Sequence, residues 1–281
     1  MTATRLIDRL QALFPEASRR SLKQWIAGSR VRVNGAVVTR GDAEIAAADR
    51  VELAAPAPAS CPAPLRLVHE DDDILVIDKP SGLLTIATER ERERTAYRLL
   101  RDWLAGRSAR AARLFIVHRL DRETSGLIVF AKSAAAKEHL QAQFAARTAE
   151  RVYVALAEGV VRRDEGSLTQ PLIEDRGLRV RIAEQGGGRE AITRYRVLER
   201  RRAATLLELQ LVTGRRAQIR AQLAAAGHPI AGDTRYGSRM DPMGRLALHA
   251  TRLAFAHPRG GRASFESPPP AAFGLRARPV L

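Results

Sequence analysis

Apolar positions follow helical spacing in two short N-terminal stretches. Leu6, Ile7, Leu10, Leu13 and Phe14 form the first, ended by Pro15. Leu22, Trp25 and Ile26 form the second, with Ser18 or Ser21 as its cap and Gly28 at its far end. Alternation then takes over. Val31 and Val33 flank Arg32, Asn34-Gly35 supplies a tight turn, Ala36 to Thr39 returns, and Arg50 to Leu53 makes a last short strand. Further along, strand and helix signals interleave. Leu65 to Val68 and Ile74 to Ile77 read as strands around the acidic turn Glu70-Asp71-Asp72-Asp73, and Asp78 to Gly82 as a loop. Thr95 begins a helix carrying Leu99, Leu100, Trp103 and Leu104. Leu114 to Val117 and Leu127 to Ala131 are short and nearly all apolar, as strands in the middle of a sheet are. Ser133 caps an alanine-rich helix to about Ala146. Strands return at Val152 to Ala157, Thr193 to Leu198 and Leu206 to Val212, followed by a helix from about Arg215 to Ala225 closed by Gly227. The mixture predicts an α+β fold: a mixed, mostly antiparallel central sheet with flanking helices.

One seam divides these patterns. Residues 54–64 hold four prolines among small residues with no periodicity, which describes a semi-rigid extended linker. It separates a small α/β unit, 1–53, from a larger one, 65–281. The final stretch, from Ser267-Pro268-Pro269-Pro270 onward, reads as an extended surface segment.

Charge alters the picture more than composition does. Of 281 residues, 47 are Lys or Arg against 31 Asp or Glu, a formal net charge of +16 that suits a polyanionic partner. An apolar fraction of 45% is enough for a buried core. The single cysteine, Cys61, excludes an internal disulfide framework and a cysteine-built zinc site. His69, His118, His139, His228, His249 and His257 are dispersed without paired ligand spacing, so no metal is expected. No stretch approaches the length of a membrane span, and charges interrupt the N-terminus where a secretory signal has its apolar centre. These features point to a soluble protein of the cytoplasm, with a monomer as the default.

Candidate chemistry concentrates between the two apolar strands that end at Val117 and begin at Leu127. There lie His118-Arg119-Leu120-Asp121-Arg122-Glu123-Thr124-Ser125-Gly126, with two acids, two arginines and two hydroxyls. Buried strands on both sides would hold a carboxylate rigidly. A self-satisfied salt-bridge turn has the same composition, and the residues alone leave both readings open.

The string HRLDRETSG followed by LIVFAKS resembles the catalytic motif of RluA-type pseudouridine synthases. Further resemblances come in that family's order. They are Asp78-Lys79-Pro80-Ser81-Gly82; Arg151-Val152-Tyr153-Val154-Ala155; Thr213-Gly214-Arg215 to Arg220; Gly227 to Asp233; and Arg245 to Ala250 with Leu253 to Pro258. Residues 4–53, a basic helix followed by a V-x-V-N-G hairpin, resemble the RNA-binding module named for the S-four ribosomal protein. There Arg19, Arg20, Lys23, Arg30 and Arg32 become RNA-binding candidates, against the plainer reading of a solvated helix face.

The resemblance implies isomerisation of uridine to pseudouridine in structured RNA, with large-subunit ribosomal RNA the leading substrate and transfer RNA the other. The base leaves its sugar nitrogen bond, turns and rejoins through carbon-5. No cofactor is implied, because the reaction is redox-neutral. Asp121 becomes the nucleophile, sealed in a dry pocket and therefore in need of an adjacent cation, for which Arg220 is the candidate. Tyr153 is expected to stack on the uracil and help move the carbon-5 proton; its plainer reading is a half-buried strand aromatic. Arg119 is expected to fill the space the base vacates, or else to pair with Glu123. His118, Thr124, Arg215, Arg216 and Gln218 complete the substrate-binding candidates, with His118 read as a hydrogen bonder that orients the loop. Two departures stand out. Arg216-Ala217 replaces the family's Thr-His, and Gln222 replaces a histidine; Arg216 is then free to grip a phosphate. Two rivals remain: a catalytically silent RNA-binding or ribosome-assembly factor on the same fold, and a general nucleic-acid binder whose acids are structural.

Overall fold

A computed structural model of the chain describes residues 4–27, 30–54, 61–89, 91–107, 113–175, 177, 179–183 and 186–274. The chain divides into two compact units, Met1–Ser60 and Cys61–Leu281. Of the expected linker, 55–60 lie outside the described residues, as does Gly28. Cys61 to Pro64 belong to the larger unit: Cys61 packs on its core and the Pro62 carbonyl accepts from the Leu65 amide.

The smaller unit is built from β1 (Thr4–Arg5), α1 (Leu6–Leu13), α2 (Arg19–Ala27), β2 (Val31–Val33), β3 (Ala36–Val37), β4 (Glu44–Ile45) and β5 (Val51–Leu53). Ser18 rather than Ser21 caps α2, its Oγ accepting from the Ser21 amide at 3.1 Å. Asn34 and Gly35 both take positive φ, 53° and 83°, as the hairpin turn from β2 to β3 requires. Leu6, Leu10, Leu22, Ile26, Val31 and Ile45 make its core. The alternating pattern missed β1 and β4, two-residue strands that pair only with each other.

The larger unit carries β6 (Arg66–Glu70), β7 (Ile74–Lys79), α3 (Ala96–Arg107), β8 (Phe115–Ile116), β9 (Ser125–Ala131), α4 (Ala134–Ala145), β10 (Glu150–Glu158), β11 (Glu165–Leu168), β12 (Leu172–Glu174), β13 (Val180–Ile182), β14 (Thr193–Arg200), β15 (Ala204–Leu211), α5 (Gln218–Ala225), β16 (Leu248–Ala256) and β17 (Arg262–Glu266). Ten of these strands form one sheet in the order β11-β14-β15-β10-β16-β9-β7-β6, with β17 on β16 and β8 on β9. All its pairings are antiparallel except β9 with β16, where Ser125 faces His249 and Gly126 faces Ala250. The mostly antiparallel α+β architecture expected from the residues is the one found. A separate hairpin, β12–β13, packs beside α5.

Period-two alternation explains the all-apolar strands. On β7, Leu75 and Ile77 face the core under α3, while Ile74 and Val76 face the core under α4. On β9, Ile128 and Phe130 take the first side and Leu127, Val129 and Ala131 the second. Both faces are covered, so Ile74–Ile77 and Leu127–Ala131 are apolar throughout. Leu100 and Leu104 of α3 and Leu140 of α4 close the two layers. Each such side chain contributes about 1.5–3 kcal/mol, which anchors the segment leading into β9.

One expectation fails at the C-terminus. Residues 267–274 are not an extended surface segment: a short helical turn, Ala271–Phe273, sinks Phe273 completely into the larger core. Residues 275–281 lie outside the described residues.

Candidate active site

Residues 117–124 join β8 to β9 and lie over the segment that follows β7. Lys79 ties the two together. Its side chain is fully buried, and its ammonium donates to the carbonyls of Pro80 at 2.9 Å, Leu83 at 2.8 Å and Arg122 at 3.2 Å. Thr85 donates to the Leu120 carbonyl and accepts from the Leu120 amide. The Gly82 amide donates to the Arg122 carbonyl, and the Arg122 guanidinium returns a bond to Gly82. Asp121 therefore sits on a loop gripped on both sides of its own position. Burial pushes the Lys79 ammonium down to about 7, against the pull of Asp121 and Glu123.

The far side of the loop is fixed by Gly126. With φ of 113° it passes so close to β16 that a Cβ would lie 2.3 Å from the Ala250 carbonyl oxygen. Beside it, Arg245 donates to Ser125 Oγ at 2.7 Å, and Ser125 lies 2.8 Å from His249 Nδ1.

Asp121 opens into a cleft of about 640 Å³, a size usual for ligand sites. Six arginines (119, 147, 151, 215, 216 and 220) line it, against two carboxylates, Asp121 and Glu174. The expected Asp121–Arg220 pair is present but is not Arg220's main attachment. Arg220 grips Asp233 in a fork, Nε to Oδ2 at 2.7 Å and Nη2 to Oδ1 at 2.8 Å, and Asp233 is 1% exposed. Tyr236 lies over the guanidinium. The one remaining nitrogen, Nη1, faces Asp121 at 3.4 Å and Glu123 at 3.3 Å. Asp233 thus aims a cation whose charge reaches Asp121. Asp121 itself is not sealed: its side chain is 20% exposed toward the cleft.

Tyr153, on β10, is buried in the cleft wall. Burial holds its phenol at about 12, with the Asp121 charge adding to the effect. It remains a neutral ring at ordinary pH, suited to stacking and poorly suited to accept the carbon-5 proton. His118 orients the loop. Its Nε2 accepts from the Val129 amide at 3.2 Å, its ring stacks on Phe144 at 4.6 Å, and burial pushes its pKa down to about 3. Thr124 is buried beneath Asp121, whose carbonyl accepts from the Thr124 amide. Arg119 is exposed on the cleft; Glu123 turns to Arg220 instead of pairing with it.

Three expectations at the third motif need correction. The helix starts at Gln218, not Arg215, because Ala217 adopts a left-handed φ of 46°. Gln218 offers no free polar group to a substrate. Its Oε1 accepts from Thr213 Oγ1 and the Arg215 amide, and its Nε2 donates to Ile192 and Thr193. It ties down the loop that precedes its helix. Arg216 is not free to grip a phosphate, since it pairs with Glu174 at 2.6 Å. Gln222, where the resemblance has histidine, is fully buried and binds Thr193 Oγ1 and the carbonyls of Leu168, Gln170 and Ala191, a structural post. Arg215 lies at the cleft rim and donates to the Glu190 carbonyl.

In the smaller unit, Arg20 and Lys23 are exposed and Arg19 pairs with Asp8 on the surface. Arg30 lies over Trp25 and donates to the Ala54 carbonyl; Arg32 donates to that of Gly35.

Three side chains carry more of the larger site than the residues alone suggested: Lys79, Arg151 and Asp233. Each stands inside one of the quoted motifs, and that was the available signal. Their tasks depend on contacts across 43 residues for Lys79 and Arg122 and 13 for Asp233 and Arg220.

The arginine-lined cleft around Asp121 suits a polyanionic substrate, and comparison with known proteins gives the class. Residues 73–225 match the family described as RNA pseudouridylate synthase, and the chain belongs to that family. It is an RNA pseudouridine synthase, an isomerase. Among its relatives, "Ribosomal large subunit pseudouridine synthase D" of Haemophilus ducreyi is 36% identical, covering 92% of this chain and 84% of that one. The protein of the same name from Pseudomonas aeruginosa is 37% identical over 95% and 89%. The solved structure of human RNA pseudouridylate synthase domain containing 1 shares the fold, with a TM-score of 0.61 over 73% of this chain and 84% of that one, at 24% identity. No helix among the described residues is long and apolar enough to cross a membrane.

Proposed function

We propose that this enzyme acts on large-subunit ribosomal RNA and that Asp121 is its nucleophile. The observation that carries the reading is the placement of Asp121: it opens into the cleft, its loop is gripped through Arg122 by a buried lysine, and the one unused nitrogen of Arg220 faces it. Preorganised positive charge of this kind stabilises charge at the reacting centre without reorganisation at the moment of reaction. Tyr153 supplies the neutral stacking face for the uracil, and Arg119, exposed at the cleft edge, takes the place of the extruded base. Relatives at 36–37% identity are named for the ribosomal large subunit, which supports that target over transfer RNA. The smaller unit, with Arg20 and Lys23 free on α2, adds a grip on the same RNA. A ribosomal substrate goes with a cytoplasmic enzyme, and the cytoplasm is the compartment we propose.

The test is pseudouridine mapping of total RNA from cells with and without the gene, paired with tritium release from carbon-5-labelled uridine. A site lost in ribosomal RNA and restored by the wild type but not by Asp121→Ala is the expected result. A lost site in transfer RNA would move the target, and unaltered release by Asp121→Ala would remove the nucleophile.

A further inference from the structure

Three of the six arginines lining the cleft are paired with carboxylates of the protein. Arg220 has Asp233, Arg216 has Glu174 and Arg147 has Glu190. Arg119 and Arg215 have no carboxylate partner among the described residues, but both are exposed to solvent; Arg151 is the buried exception. It is 8% exposed, and among the described residues no carboxylate pairs with it. Its Nε has no hydrogen-bond partner, and its Nη2 reaches only the Val212 carbonyl, at 3.4 Å. A guanidinium keeps its charge at any ordinary pH, so this is a desolvated cation the fold has left uncompensated, which is costly.

The surroundings are shaped to hold it there. Arg151 stands two residues before Tyr153 on β10, so both project from the same side of the strand, and both line the cleft. Its guanidinium lies over the Phe144 ring at 5.4 Å. A Cβ on Gly214 would come within 2.3 Å of its Nη1, so the Thr213-Gly214-Arg215 loop passes this cation by having no side chain at that point. Burial pulls the guanidinium below its ordinary range, and its charge in turn helps lower His118.

We infer that Arg151 is the seat of a substrate phosphodiester next to the target uridine, a role resting on the reading of this cleft as the RNA site. The choice of phosphate over base follows from charge. Uracil carbonyls are neutral and cannot compensate a buried cation, whereas the phosphodiester is the only full negative charge a nucleotide in RNA carries. Arg151 and Asp121 thereby divide the nucleotide between them, one holding its backbone and the other its reacting end.

The test is equilibrium binding of dodecauridylate by the full chain over a salt series, with melting curves, for wild type, Arg151→Gln and Arg151→Lys. Loss of one phosphate contact should flatten the slope of log affinity against log salt by about 0.7 and weaken binding about ten- to a hundred-fold at low salt. Arg151→Lys should keep the slope and lose less affinity, since it retains the charge without the fork. Arg151→Gln should melt no lower than wild type, because it removes an uncompensated buried charge. An unchanged slope in Arg151→Gln overturns the assignment. So does a flattened slope with a clear fall in melting temperature shared by Arg151→Lys, which would make the residue a structural support. Dodecauridylate binding needs no turnover. Empty pseudouridine maps with a flattened slope would refute the enzymatic reading and leave the phosphate seat standing; the reverse result would discard Arg151 alone.

Discussion

Replacing Asp233 by asparagine tests whether Arg220 is aimed by its buried partner. The side chain keeps its shape and loses its charge. In the native protein the two carboxylate oxygens accept from Nε at 2.7 Å and Nη2 at 2.8 Å, and both partners are buried. Asparagine offers one acceptor and turns an NH2 group toward the other guanidinium nitrogen. One charge-assisted bond is lost, the second becomes a repulsive contact, and a buried cation is left short of its counter-charge, a change worth about 3–5 kcal/mol. Nη1 now holds Asp121 and Glu123 at 3.3–3.4 Å; once Arg220 is released, its fork is free to swing onto those carboxylates. A displacement of about 1 Å at a reacting group costs roughly a hundred-fold in rate. Urea denaturation and single-turnover tritium release on the same preparations are the assays. Stability within about 1 kcal/mol of wild type together with an unaltered rate would refute the idea that Asp233 directs the cation.

Gly126→Ala should be among the more damaging single changes in the larger unit. It combines a φ of 113° with a Cβ 2.3 Å from the Ala250 carbonyl oxygen and 2.5 Å from its amide nitrogen, so calorimetry should register a loss of roughly 3 kcal/mol or more. Burial takes the Lys79 ammonium from its ordinary 10.5 to about 7, so between those values the unfolded chain binds a proton the folded chain has released. Stability therefore rises with pH through that window, by up to about 1.4 kcal/mol per pH unit, and Lys79→Met should lack the rise in denaturation curves taken across it. Arg19→Glu combined with Lys23→Glu should weaken RNA binding and flatten its salt dependence; unchanged binding would make α2 a solvated face.

The residues disclosed the parts of this fold that repeat a local rule. Ile74 to Ile77 and Leu127 to Ala131 announce strands covered on both sides because every position is apolar, and Ser133 announces a helix because its oxygen caps the Ala136 amide. Phe273 was illegible: a proline run ahead of it looks like a surface tail, and only the pocket waiting in the core explains why it turns inward. At the site, Asp121 and Arg220 were readable from the motifs that carry them, but the rank of Arg220's partners was not. Both Asp121 and Asp233 are acids within reach, and the choice between them is made by burial. Gln218 misled for a related reason. An amide beside a cleft reads as a ligand group until its four bonds to the Thr213–Arg215 loop and to Ile192 and Thr193 are seen.

The position of β16 has a consequence for how the enzyme comes into being. That strand lies between β10 and β9, so before it docks the sheet is two separate ribbons: Asp121 leads into one, while Tyr153 belongs to the other and Arg220 follows it in the chain. During synthesis the nascent polypeptide holds both ribbons long before residue 248 emerges. The keystone is made after both ribbons, and until it docks no single sheet holds the strands that carry Asp121 and Tyr153.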